Sequence, residues 1–459
     1  MMMPNKSIKN FGIFFLILIS ISNVQAQVCA AGESHTLSIC MDGSVKAWGF
    51  NGHGQLGNGS ITDSNLPIQV NSLINVIAVA AGSEFSLALK SDGTVWAWGD
   101  NGNGQLGNGN NTDSNFPVQV SFLSGIIAIE TGGFHSIALK NDGTVWTWGW
   151  NLFGQLGHAN NNNCNIPIQV NSLSGVIAIS GGWNHSLVLK NNGTVMSCGD
   201  NGNGQLGTGN NFDSNFPIPV ITLTNVISIG AGGYHSMVLK NDGTVYTWGA
   251  NTFGQLGNGN TSDSNVPILI SSLAGIIELE GGALHSLALK SNGTLLAWGN
   301  NVNGELGTSN NTNSNVPISV GSLNGIITIA AGYGHSIALK NNGDFLDWGA
   351  NALGQLGNGT NISSNFPVQP FGLCIVLNSI KESTEILSTI VYPNPTNATF
   401  SISGLAINTF KYVEILDVSG ACVLTSNFYN DIDIANLRNG FYFYRVNGDV
   451  KYTGKIIKQ

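Results

Sequence analysis

Along the segment 129–157, IETGGFHSIALKNDGTVWTWGWNLFGQLG, polar and apolar residues alternate from His135 to Lys140, the pattern of a half-buried β-strand. Asn141-Asp142-Gly143 then turns the chain, and a partner run, 144–149, leads back. A tight hairpin needs positive φ, which Asp-Gly and Asn-Gly tolerate. One or the other pair stands at this point in all seven copies of the segment, from Asp42-Gly43 to Asn342-Gly343. Upstream, Gly125-Ile126-Ile127-Ala128-Ile129 is an apolar run of strand length that ends at a glycine-rich turn around Gly132. Downstream, 165–170 alternates again, with a proline that suits an edge or the start of a strand. Each 50-residue unit is thus predicted to supply four short antiparallel strands, the content of a propeller blade.

The copies keep register. Glycine recurs from Gly32 to Gly332, and Trp-Gly closes the third strand at Trp48, Trp98, Trp148, Trp248, Trp298 and Trp348, with Cys198 in the remaining copy. Gly-Gln-Leu-Gly begins at Gly54 and at five later equivalents, Glu305 giving the variant GELG, and Asn-x-Pro follows from Asn65-Leu66-Pro67 to Asn365-Phe366-Pro367. On these residues, 28–377 resembles the regulator of chromosome condensation repeat, whose family folds as a seven-bladed β-propeller. The ends of the array also suggest a ring. It opens at the AGESHTLSI hairpin without a preceding Pro-x-Gln-Val strand and closes with Pro367-Val368-Gln369-Pro370, so two partial ends are expected to complete one shared blade. An open solenoid would need polar capping repeats.

After Leu377 the period stops. Residues 379–390 read as a polar linker, and 391–459 as a small β-sandwich of alternating strands with glycine turns. Tyr392-Pro393-Asn394-Pro395, Asp417-Val418-Ser419-Gly420, the run 437–442 and Lys455-Ile456-Ile457-Lys458 resemble the type A C-terminal sorting domain of the type IX secretion system. That resemblance implies passage through the periplasm, contact of 391–459 with the secretion machinery, and release or attachment at the cell surface. The N-terminus agrees: Lys6 and Lys9, the apolar run 11–21 and Val24-Gln25-Ala26 read as a signal peptide, 1–26, cleaved after Ala26. The apolar run is short for a membrane span, so no transmembrane segment is expected in the mature chain. The expected fold is all-β, a seven-bladed β-propeller over 27–378 followed by a small β-sandwich sorting domain.

Composition narrows the partners. Only 9% of residues are Asp, Glu, Lys or Arg, against about 25% in an average soluble domain; Asn, Ser, Thr and Gly solvate the surface instead. With a net charge of -9 and no basic patch, nucleic acid is not an expected partner. The best-known role of the resembling family, nucleotide exchange on a chromatin-bound nuclear GTPase, needs a partner that an exported chain would not meet. Six cysteines are present without a CxxC pair, which disfavours zinc. Cys29 with Cys374 would staple a ring, Cys29 with Cys40 a hairpin, and free buried thiols are the third option. Cys198, in the tryptophan position, reads as core filling.

Six units carry histidine at one equivalent position, His35, His135, His185, His235, His285 and His335, with Phe85 in the other. Zinc-bound nitrogens on one ion lie roughly 3 to 4 Å apart, whereas equivalent positions on adjacent blades lie about 10 Å apart. A packing and hydrogen-bonding role is expected. His53 and His158 read as solvated loop histidines, and the Asn- and Asp-rich loops as turn formers rather than calcium ligands. No nucleophile elbow, P-loop or HExxH occurs. No catalytic residue, metal ligand or cofactor is expected, although Glu33, Glu84 and Glu130 lie near the turns where an enzymatic carboxylate pair would have to form.

The positions that vary between units carry more information. Phe134, Trp183, Tyr234 and Tyr333 stand in the turn before the histidine position, and unit three adds Trp150 and Phe153. Trp146 and Trp148 are expected to pack between blades, whereas Trp150 lies beyond the strand. These six candidates could line a ligand face suited to a sugar ring or a protein hot spot, or could fill gaps between blades. The functional expectation is a secreted, non-catalytic binding propeller whose ligand is a glycan or an extracellular protein. The alternative is a polysaccharide-degrading enzyme.

Overall fold

The repeat alternation becomes seven antiparallel sheets of four consecutive strands in the computed structural model. The structure describes residues 27–321, 323–374, 390–392, 399–403, 410–416, 422–427, 432–437, 440–448 and 452–458. Blade 3 shows the plan: Ile126–Thr131, His135–Lys140, Val145–Gly149 and Cys164–Gln169 pair in sequence order. Its hairpin closes with Leu139 opposite Val145 and Gly143 at φ 79°, the positive value that the Asp-Gly pair was expected to supply. The first strand of each blade lines the central axis.

Sheets this narrow have no core of their own, so each buries its faces against the next. The second strands are buried along both faces. Trp148 of blade 3 is fully buried against Leu87, Leu89 and Val95 of blade 2, with Trp146 packed at the margin of the same cluster. The Trp148 indole N–H donates to the Gln105 carbonyl of blade 2 at 2.8 Å. Cys198, in the tryptophan place of blade 4, is buried and points its thiol at the Gln155 carbonyl, 3.5 Å away.

Histidine supplies the second tie across six of the seven seams, Phe85 standing in its place in blade 2. His135 Nε2 lies 2.9 Å from Ser186 Oγ of the next blade, and Ser186 donates its own proton back to the Gln155 carbonyl at 2.8 Å. The serine proton is thereby committed, so the histidine must be the donor through Nε2. Burial lowers its pKa to about 3. Five further histidines repeat the contact, the last from His335 to Thr36 of blade 1 at 2.9 Å. Gly132 is required by close approach rather than by φ: a Cβ there would stand 2.1 Å from the His135 ring and 2.4 Å from the Gly182 carbonyl. Beside it, one backbone hydrogen bond of 2.9 to 3.2 Å crosses each of the seven seams, from Glu33 N to Gly82 O round to Tyr333 N to Gly32 O.

Two expectations about the ring's closure are corrected. No blade is shared between the chain ends. Blade 1 has its own short inner strand, Cys29–Ala31, paired with the strand His35–Ile39, and blade 7 keeps Ser364–Val368 as its outer strand. The missing strand was hidden in sequence because Cys29–Ala31 directly follows the export-like segment. The disulfide joins Cys40 to Cys374, with Cα atoms 5.7 Å apart. Cys40 stands at the hairpin end of its strand, where the chain leaving blade 7 meets it. Cys29 instead faces inward, buried with Trp48, Ile337 and Phe345 in the closing seam.

The chain divides into two compact units between Ser379 and Ile380. The second unit contains a three-stranded sheet, in the order Ile390–Tyr392, Thr399–Ser403, Ile432–Asp433, and a four-stranded sheet built around Phe410–Leu416 and Gly440–Gly448. Val413 and Ile415 of one sheet and Ile432 of the other are buried. The proposed signal peptide and positions 379–389 of the linker lie outside the described residues, and Ile390, the linker's expected last residue, opens a strand of the second unit.

The disulfide closes a loop of 334 residues across the only covalently open seam. Cys40→Ser is expected to lower stability by roughly 2–5 kcal/mol, and reduction to do the same, while Cys29→Ser leaves the response to reduction unchanged; thermal unfolding with and without reductant measures both. The histidines set the acid limit. Their folded pKa lies below the unfolded value of 6.5, so their contribution is complete above pH 6.5 and is lost as pH falls towards 3. Each removes about 1.4 kcal/mol per pH unit in that window. Urea midpoints between pH 7 and 4 are expected to fall steeply, and His135→Phe, which copies Phe85, to reduce the slope by one histidine's share.

Candidate functional site

The turns between first and second strands and the long loops after the third strand share one face, because the loop amide of Trp150 bonds the turn carbonyl of Phe134 at 2.9 Å, as at every equivalent position. The hairpins lie on the opposite face. Each long loop is knit by a buried asparagine. Asn151 donates through Nδ2 to the Asn160 and Asn162 carbonyls and accepts from Leu156 N. Its backbone N–H bonds Asn163 Oδ1. The loops therefore stand as fixed walls around the axis.

The six aromatic candidates come together on that face. Phe153 packs edge-on against Trp150 (centroids 5.6 Å apart), Trp150 against Phe134 (5.7 Å) and Phe134 against Trp183 (6.2 Å). Trp183 stacks on Tyr234 at 6.4 Å and meets Tyr333 edge-on at 5.2 Å. The last contact joins blade 4 to blade 7 across the axis, so these two rings roof the central channel. Tyr333 is 45% exposed and the other five rings are half-buried. Trp148 and its equivalents, by contrast, are wholly inside the seams.

Beneath the roof lies a chamber of about 140 Å³ lined by Glu33, Ser83, Trp183, Tyr333 and the axial glycines. A second, of about 250 Å³, continues towards the hairpin face and shares Gln27, Glu130 and Glu280 with the first. Isoleucines ring its far mouth, Ile77, Ile127, Ile227 and Ile277 being exposed. Gln27 Nε2 donates to Glu130 at 3.0 Å, and Thr328 donates to Glu278 at 2.9 Å. Surrounded by protein but facing the void, Glu130 has its pKa raised to about 8 by desolvation, with the Gln27 hydrogen bond pulling the other way. Glu280 is pushed well up by burial and by the nearby Glu278 and Glu130.

Of the three glutamates singled out in sequence, Glu33 and Glu130 both line the first chamber, Glu33 accepting a hydrogen bond from Ser83, while Glu84 faces His53. His53 is not a simple solvated side chain. Its Nδ1 lies 2.9 Å from Asp113 Oδ2 and its Nε2 3.3 Å from Glu84 Oε2. The hydrogen bond to Asp113 raises its pKa, against partial burial. His53, Asp100 and Asp113 also offer ligand atoms close enough for one cation. The same 60-residue step joins Asn163 to Asn103 and Asn203 to Asp263 in neighbouring seams, so the default role of this contact is to tie loops together. His158 likewise has a partner, Thr147 Oγ1 at 2.9 Å from Nε2. Neither partner of His53 is near it in sequence, and only the blade period of 50 residues could have brought 53 and 113 together on paper.

Comparison with known proteins agrees with this architecture. A family model described as an RCC1-like domain matches residues 18–230, and models of the regulator of chromosome condensation (RCC1) repeat match 242–289 and 292–339. The chain belongs to the RCC1-repeat propellers. A model of the secretion system C-terminal sorting domain matches 390–459. This RCC1-repeat chain is therefore directed by its sorting domain to the cell surface or the extracellular space through type IX secretion. Among the described residues, no helix is long and apolar enough to cross a membrane. The crystal structure of human WBSCR16 is similar, with a TM-score of 0.62 and 25% identity over 68% of this chain and 86% of that one. Prp20p of Saccharomyces cerevisiae shares the fold at a TM-score of 0.65 and 22% identity, covering 77% and 90%. The mitochondrial RCC1 domain-containing protein RUG3 of Arabidopsis thaliana is 35% identical over 54 residues, only 12% of either chain.

The raised pKa of Glu130 gives its alkaline signature. Its stabilising contribution is complete below the ordinary carboxyl range near 4.5 and is lost as pH rises through about 8. Glu130→Gln is expected to match the parent near pH 4.5, to pull ahead in urea midpoint as pH rises towards 8, and to keep that lead to pH 9.5. Equal midpoints at pH 9.5 would contradict the assignment.

Proposed function

We propose that this chain is a secreted, non-catalytic binding propeller that takes an extracellular ligand, a glycan or a protein, on the aromatic roof of its loop face. The observation that carries this reading is the contiguous set of six rings drawn from blades 3, 4, 5 and 7, with neighbouring centroids 5.2 to 6.4 Å apart. The seams are already filled by the Trp148-type indoles, so packing between blades does not account for rings that protrude on one face. Tryptophan and tyrosine offer large apolar area with a polar edge and few rotatable bonds, the usual chemistry of binding anchors. Export through the sorting domain places such a face where extracellular ligands occur.

The enzymatic alternative has less support. The channel glutamate Glu130 is engaged by Gln27, and Glu33 and Glu84 are held by Ser83 and His53. An acid–base pair would need both carboxyls free to face a substrate.

Binding of the purified full-length chain to a glycan array and to extracellular protein preparations tests the reading. Any ligand found is expected to bind at least tenfold more weakly to a Trp150→Ala, Trp183→Ala variant whose thermal unfolding matches the parent. Unchanged affinity in that variant would overturn the aromatic site.

A further inference from the structure

The propeller keeps its basic residues to one face. All seven of its basic residues are lysines, from Lys46 to Lys340, and they stand on the second and third strands next to the hairpins. Four of them pair with an aspartate or its near neighbour in the same hairpin, as Lys140 does with Asp142 at 3.6 Å. Among the described residues, the loop face carries no lysine or arginine. Its turns and loops carry Glu33, Asp63, Glu84, Asp113, Asp200 and Asp263 among other carboxylates. A titratable base on that face, His53, is held between Glu84 and Asp113 and is taken up by them. Like charges gathered on one side of a rigid ring, with no counter-ion built in, attract a cationic partner over a Debye length of about 8 Å.

The charge reaches the aromatic roof. Glu33 lines the same chamber as Trp183 and Tyr333. The Tyr234 hydroxyl, stacked beside Trp183, has its pKa raised first by burial and then by Tyr333, Asp200 and Glu33, so both carboxylates lie within electrostatic reach of the rings. Aromatic faces beside carboxylates are complementary to a flat cation, which can lie on a ring and bond a carboxylate through its edge. Lysine's compact ammonium matches only the first half of that arrangement. A neutral sugar would use the rings but leave the charge unanswered.

We propose that the roof of the channel receives an arginine side chain presented by a basic segment of an extracellular protein, with Trp183 and Tyr333 stacking the guanidinium and Glu33 accepting its hydrogen bonds. The proposal rests on the binding-propeller reading above and adds the chemistry of the ligand. Below the roof, Glu130 and Glu280 line the continuation of the channel without a cationic partner among the described residues. A guanidinium held above them meets no positive charge on the way in.

Hexa-arginine and its neutral isostere hexacitrulline test this by calorimetric titration of the full-length chain at 0.15 M salt. Hexa-arginine is expected to bind at least tenfold more tightly than hexacitrulline. Trp183→Ala and Glu33→Gln should each weaken it at least fivefold, while Asp263→Asn, on the same face but outside the chamber, leaves it within twofold. Equal binding of the two peptides, no binding of hexa-arginine by the folded protein, or equal effects of Glu33→Gln and Asp263→Asn would each overturn the proposal. A glycan or protein ligand that depends on Trp150 and Trp183 but not on Glu33 would leave the binding reading standing and remove only the arginine.

Discussion

The hydrogen bond from a histidine of one blade to a serine of the next is the contact on which the ring depends. A four-stranded blade buries nothing by itself, and both faces of its second strand are covered only when neighbours close on it. The apolar cluster supplies most of that drive but is non-directional. In six seams the histidine bond, the hydroxyl bond back to the preceding blade's carbonyl and the axial backbone bond fix one rotation of a blade against the next, and where Phe85 replaces histidine the last two remain. Because the serine proton is committed to the carbonyl, the histidine has to donate, and burial keeps it neutral.

Repeating one seam seven times leaves one place where the chain is not continuous. There Thr36 replaces serine and takes the bond from His335, and Cys40 and Cys374 add a covalent link. The buried Asp347 carboxyl, pushed well up by desolvation, lies in the same seam beside Trp48. Closure thus keeps the histidine bond and the axial backbone bond and adds one cross-link, which suits a protein that works in an oxidising space.

A rigid ring frees its turns and loops from structural work at the variable positions. The buried loop asparagines hold the backbone, so residues 134, 150, 183, 234 and 333 can differ between units without loss of fold. Aromatic rings and carboxylates accumulate at those positions on one face, and lysines on the other. The channel below is narrow, lined mainly by glycines and alanines near the loop face and by isoleucines and glutamates further down, which gives the loop face, not the channel, the area for a macromolecular ligand.

The sequence by itself determined the strands and hairpins of the repeats, all but the short inner strand Cys29–Ala31, because turn chemistry and alternation are local and a 50-residue period makes each copy evidence for the others. It also singled out the six aromatic candidates, since a residue that breaks a strict repeat is visible on paper. Trp150, Phe153 and Phe134 could be grouped from their nearness in one unit. The meeting of Trp183 with Tyr333 could not, because it depends on two blades facing across the axis. For the same reason the sequence left the disulfide open and missed the partners of His53 and the pairing of Gln27 with Glu130. Each joins residues from different blades, and their distances are set by the curvature of the closed ring rather than by any local preference of the chain.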